Sequence, residues 1–164
     1  MLDQLSPHPS LVDLAAISQQ SYSEVPNTRS VGTYTPINQA FDTNFWSHGT
    51  GFTSHAYFSN TENTLVVSFA GTVPGIDLLT DAQLAVVGRS NQDNLALNFA
   101  STTIDQLNSQ GIRDFNVVYT GHSLGGYLSQ VAATQNSNAS VVVFNSPGTG
   151  GLLWSGPINL HLCS

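Results

Sequence analysis

A chain of 164 residues with 40% hydrophobic content is long enough for one domain with a sizeable core, yet only 8% of it is charged. Lysine is absent, the only arginines are Arg29, Arg89 and Arg113, and the net charge is −7, which argues against phosphate-driven nucleic-acid binding and against a basic membrane-docking patch. The single Cys163 cannot close an internal disulfide, no Cys/His spacing suggests a zinc site, and no stretch reaches transmembrane length.

Solubility must rest on Asn, Ser, Thr and Gln, a composition compatible with a secreted, extracellular protein. Residues 1–10 hold Asp3 and two prolines and do not read as a secretory signal.

In chain order, Ser10-Leu11-Val12-Asp13 reads as a helix start of the capping-box type, with Asp in place of Glu or Gln. Leu11, Leu14, Ala15 and Ile17 supply its apolar face, and the helix ends near Tyr22, before Pro26. Residues 27–44 have no clear period and contain Gly32 and Pro36, which predicts irregular chain with a short strand at most. Residues 51–69 read as a β-hairpin turning at Asn60-Thr61-Glu62-Asn63, with Leu65-Val66-Val67-Ser68-Phe69 as its second strand. Residues 73–88 gather Ile76, Leu78, Leu79, Leu84, Val86 and Val87 around Asp77 and Asp81, in the manner of a short helix or an apolar flap.

Residues 94–110 form a helix by period, with Ala96, Phe99, Ala100, Thr103 and Leu107 on one face and Gly111 as its stop. A β-branched and aromatic strand follows over 115–120, then helical spacing at Leu124, Leu128, Val131 and Ala132. Val141-Val142-Val143-Phe144 is apolar throughout, as a buried central strand should be, and residues 158–162 start another strand. This alternation implies right-handed crossovers and one α/β domain over residues 1–164, with a mostly parallel sheet covered by helices on both faces.

The junction at Thr120-Gly121-His122-Ser123-Leu124-Gly125-Gly126 concentrates the chemistry. Gly-x-Ser-x-Gly alone arises by chance in roughly one chain in twenty of this length. Placed between a strand and a helix, it is the nucleophile elbow of α/β-hydrolases, which exposes a serine hydroxyl above the carboxyl end of the sheet. The bland alternative is a Gly-Ser turn with no chemistry. Acyl transfer also needs donors for the tetrahedral oxyanion, each worth on the order of 3 kcal/mol in the barrier. The Leu124 N–H is one donor. Ala70-Gly71-Thr72, after the strongest strand of the first half, is the best source of the other.

Three pieces of the chain together resemble the class 3, fungal-type lipase family. They are the Gly121-His122-Ser123-Leu124-Gly125-Gly126 elbow, the strand Val66-Val67-Ser68-Phe69-Ala70-Gly71-Thr72, and Val143-Phe144-Asn145-Ser146-Pro147-Gly148. Ala70 stands where that family usually has Arg, and the Asn-Ser-Pro-Gly form is closer to its bacterial lipase-like members. The resemblance covers about residues 51–148. It implies an α/β-hydrolase fold, hydrolysis of carboxylic esters of lipids, Ser123 as nucleophile, and Thr72 beside Leu124 in the oxyanion hole. It also implies a lid near residues 73–88, and matches Asp81 to an acidic position after the oxyanion loop. No metal or organic cofactor is needed for this chemistry.

The likeness breaks at the base and the acid. Such hydrolases run Ser, then Asp, then His along the chain. After Ser123 there is no Asp or Glu, and one histidine, His161. Three readings stay open. The chain is a shortened form of a longer lipase, incomplete at its C-terminal end. Or it uses substitutes, with His161, His55 or His48 as base and Asp81 or Asp77 as acid. Or it is catalytically silent, a hydrolase-fold binding module. Acyl transfer to an acceptor other than water is a further possibility. His48 and His55, beside Gly49 and Gly51, are expected to be exposed or hydrogen-bonded, and His122 to be structural.

Overall fold

The computed structural model describes residues 9–42, 51–71, 84–146 and 159–163, of which 84–90 and 159–163 are described by backbone alone. Among the described residues, three helices and six strands follow in order as α1 (Leu11–Gln20), β1 (Thr35–Asp42), β2 (Phe52–Ser59), β3 (Thr64–Phe69), α2 (Leu84–Ser109), β4 (Asn116–His122), α3 (Leu124–Ala133), β5 (Ser140–Phe144) and β6 (Asn159–Cys163). The strands form one sheet in the order β1-β2-β3-β4-β5-β6. The pairs β1/β2 and β2/β3 are antiparallel, and the remaining three are parallel. The hairpin makes the antiparallel pair β2/β3, because a four-residue turn reverses the chain between them. Helices α2 and α3 make the parallel pairs β3/β4 and β4/β5, because each carries the chain back to start a strand in the same direction.

The strands alternate sides with period two, and both sides are apolar. Leu65, Val67 and Phe69 of β3, Val117 and Tyr119 of β4, and Val141 and Val143 of β5 pack with Ala96, Phe99, Ala100 and Leu107 of α2 and with Leu128, Val131 and Ala132 of α3. On the other face Val66, Val118 and Val142 meet Leu14 and Ile17 of α1, together with Val31, Tyr34 and Tyr57. Burying Leu14 and Ile17 supplies about 1.5–3 kcal/mol each, which holds a ten-residue helix too short to stand alone. Helices therefore cover both faces, as expected.

The α2 face falls on the five predicted residues, all buried. The helix itself begins at Leu84, ten residues before the predicted start, so 84–88 are helical and 73–83 lie outside the described residues. The face of α1 differs from expectation. Leu11 is 58% exposed and Ala15 is exposed, while Leu14, Ile17, Ser18 and Ser21 point inward. These four stand at i, i+3, i+4 and i+7, an unbroken helical stripe that two serines conceal from a count of apolar residues. β1 runs eight residues where a short strand at most was expected. Pairing with β2 creates it, and Pro36 sits at the register shift between Pro36 and Asn38, an edge position that needs no ladder N–H.

Candidate active site

Ser123 stands between β4 and α3 with φ 55° and ψ −124°. A non-glycine residue pays about 1–3 kcal/mol to remain there. Its N–H donates to the Phe144 carbonyl at 3.0 Å, so the last residue of β5 fixes the turn. Its carbonyl accepts the N–H groups of Gly126 at 3.0 Å and Tyr127 at 3.4 Å, which starts the helix. The N–H of Leu124, in the first turn of α3, has no partner within the helix, and the helix dipole adds partial positive charge beside the serine.

Ser123 occupies the N-cap position of α3, yet its side chain makes no capping hydrogen bond. Ser10, the N-cap of α1, is the internal comparison. It has φ −64° and ψ 153°, and its Oγ accepts the Asp13 N–H at 3.1 Å. A serine selected to start a helix behaves like Ser10. Ser123 is held in strained backbone with its hydroxyl left out of the cap.

The glycines serve by size. The positive φ falls on Ser123 itself, not on Gly121 or Gly125. A Cβ on Gly121 would lie 2.5 Å from the Gly125 backbone and 2.8 Å from the Phe69 carbonyl oxygen. One on Gly125 would run into the Phe69 carbonyl, and one on Gly126 would lie 2.5 Å from Ser146 Oγ. The amino end of α3 is thus wedged between the end of β3 and the loop after β5. Ser129 ties it to the sheet, its Oγ donating within 2.7–2.8 Å of the Thr120 and Gly125 carbonyls. All three motifs singled out in the sequence converge here. A Cβ on Gly71 would lie 3.3 Å from the Ser123 Cβ, so the end of β3 reaches the serine.

Among the other expected site residues, Leu124 follows Ser123 directly. Thr72, Asp81, Asp77 and His48 lie outside the described residues. Gly71, the neighbour of Thr72, is the described residue nearest the expected oxyanion position. His161 is on β6 in register with Val142, itself in register with Thr120, so its backbone is two strand spacings, or about 10 Å, from β4. His122 is exposed, and its Nδ1 lies 3.0 Å from Tyr22 Oη.

His55 differs from the expected exposed or hydrogen-bonded ring. It is fully buried on β2 on the α1 side, edge-on to Phe41, and among the described residues neither ring nitrogen has a hydrogen-bond partner. Burial pushes its pKa down to about 4, so the ring is neutral at pH 7. Ser68 and Thr120 continue the same row across β3 and β4, each with a buried hydroxyl that has no described partner.

Tyr22 is the site residue that sequence reasoning missed. Its hydroxyl reaches Gly71 and the His122 backbone and ring. It follows a short helix 100 residues before the elbow, and no local pattern marks it. A surface groove of about 570 Å³ between the 26–30 loop and β1 lies on the far edge of the sheet from Ser123. No helix among the described residues is long and apolar enough to cross a membrane.

A family model described as phospholipase-like, the Tle-like phospholipase domain, matches residues 13–151. No curated protein sequence matches the chain. Several solved structures do. A triacylglycerol lipase from Penicillium expansum is similar at 19% identity and TM-score 0.62, over 84% of this chain and 60% of that one. A lipase from Rhizopus microsporus var. chinensis is similar at 20% identity and TM-score 0.64, over 83% of this chain and 56% of that one. The Lip2 lipase from Yarrowia lipolytica is similar at 17% identity and TM-score 0.62, over 82% of this chain and 56% of that one. The chain therefore spans 56–60% of the length of these three, and the likeness is one of fold.

Proposed function

Because the chain belongs to the Tle-like phospholipase domain family, we propose that it is a serine hydrolase acting on the acyl esters of lipids, phospholipids among them. In this reading Ser123 Oγ attacks the ester carbonyl and gives its proton to a base. The oxyanion is held by the N–H groups of Leu124 and Thr72. The C–O bond to the alcohol breaks, the alcohol leaves with that proton, and water then releases the fatty acid from Ser123. His161 is the candidate base and Asp81 the candidate acid. Action outside the cell belongs to the same proposal, supported by the lysine-free, low-charge composition.

The observation that carries the proposal is the state of Ser123, strained at φ 55° and excluded from capping its helix. A fluorophosphonate probe tests it. Ser123 is expected to be labelled, and Ser123→Ala to abolish labelling. Fatty-acid release from phosphatidylcholine and from triacylglycerol then separates the two ester classes. No labelling under conditions that label a control lipase would sink the proposal.

One observation favours a second reading, a hydrolase-fold module that binds lipid without turnover. Neither described imidazole serves the serine: His55 is buried on β2 edge-on to Phe41, and Nδ1 of His122 lies beside Tyr22 Oη. Vesicle binding that persists without any probe labelling supports that reading.

A further inference from the structure

The ladder between β3 and β4 ends at the pair Phe69–Gly121. Everything the proposed reaction needs from the two strands lies beyond that pair: Gly71 and Thr72 on one side, His122 and Ser123 on the other. Among the described residues, no β3–β4 ladder pair sets the spacing of Gly71 against the nucleophile. Ala70 is held outward, its N–H donating to the Thr53 carbonyl of β2 at 2.9 Å.

Tyr22 fills this gap. Two turn bonds close the end of α1, from Ser21 N–H to the Ile17 carbonyl at 3.1 Å and from Tyr22 N–H to the Gln19 carbonyl at 3.4 Å. They aim the phenol at the sheet end. Its Oη lies 3.0 Å from His122 Nδ1 and 3.5 Å from the His122 carbonyl oxygen, and it sits directly against the Gly71 backbone. A Cβ on Gly71 would come within 2.5 Å of that oxygen, so the glycine leaves the space the hydroxyl occupies. A phenol with the ordinary pKa of 10.0 already holds its proton at neutral pH, and burial raises that pKa further. With one proton to give, the hydroxyl can donate to the His122 carbonyl or to a bare His122 Nδ1, of which the nitrogen is the nearer.

We propose that Tyr22 is a positioning residue: its hydroxyl ties the oxyanion loop at Gly71 to the nucleophile elbow at His122 and, by donating to Nδ1, leaves the His122 ring proton on Nε2. The inference rests on the hydrolase reading of Ser123 for its consequence in catalysis, and on geometry alone for the tie itself. It gives His122, between strand and nucleophile, a task that the elbow motif does not assign.

The experiment compares the wild-type protein with Tyr22→Phe by two readouts. Nitrogen NMR of the imidazoles is expected to show wild-type His122 protonated at Nε2 and bare at Nδ1, and Tyr22→Phe with a mixture of both tautomers and faster exchange of the Gly71 amide. Fluorophosphonate labelling at saturating probe is expected to slow about tenfold in Tyr22→Phe, with the half-saturating probe concentration unchanged, because the hydroxyl aligns the oxyanion donors and does not touch the probe. Unchanged labelling together with unchanged His122 shifts would overturn the proposal. So would a neutral wild-type His122 protonated at Nδ1, a measurement that does not depend on the variant folding. A wild-type Ser123 that never labels removes the hydrolase reading, and the NMR comparison then decides the tie by itself.

Discussion

Ser10 and Ser123 stand one residue ahead of a helix, and only Ser10 caps. Ser10→Ala is expected to lower stability by about 1 kcal/mol in urea unfolding, through loss of the bond to the Asp13 N–H. Ser123→Ala has no such bond to lose and meets the same strained φ, so its stability should stay within about 0.5 kcal/mol of wild type while probe labelling disappears. His55 supplies a pH dependence. Its pKa is about 4 when folded against 6.5 in the open chain. Above pH 6.5 neither state is protonated and the ring takes nothing from stability. As pH falls from 6.5 towards 4, the unfolded chain binds a proton that the folded one refuses, so stability drops by on the order of 3 kcal/mol. His55→Leu should remove that part of the drop, measured as the difference between the two unfolding free energies at pH 7 and pH 4.5. It should do so without a large loss at pH 7, because neither ring nitrogen has a described partner to orphan.

The amino end of α3 is the element on which the site depends, because it is packed backbone to backbone against β3. Gly125→Ala places a methyl group on the Phe69 carbonyl, which has no room to move within a central strand. The expected loss is about 3 kcal/mol or more, seen as a lowered urea midpoint or a failure to fold. Gly111→Ala is the control. That glycine has φ 83° and open space around its Cβ position, so only the backbone penalty remains, about 1 kcal/mol. Legibility differs element by element. The α2 face could be read because its buried residues are apolar at helical spacing. The inward face of α1 could not, because Ser18 and Ser21 lie on it, and β1 could not, because its strand geometry comes from β2 rather than from its own pattern.

At the scale of the molecule, a net charge of −7 with no lysine sets how the protein meets a lipid surface. Co-sedimentation at low salt is expected to favour phosphatidylcholine vesicles over vesicles doped with an anionic lipid. The difference should vanish near 1 M salt, where the screening length falls to about 3 Å. Preference for the anionic vesicles would contradict it. A mostly parallel sheet with helices on both faces, the strand–serine–helix junction and the three motifs were determined by the sequence alone, because each is set by local periodicity or by glycines at fixed spacing. Tertiary structure decided the rest. It placed the strain on Ser123 and denied it a cap, it buried His55 away from the serine, and it brought Tyr22 to Gly71 and His122 across 100 residues of chain. Contacts of that kind leave no trace in periodicity, because they depend on where a helix end arrives once the sheet has formed. The same holds for the elbow's base: a serine and two glycines mark a candidate nucleophile, while the partner that would activate it is a matter of distance in the folded chain.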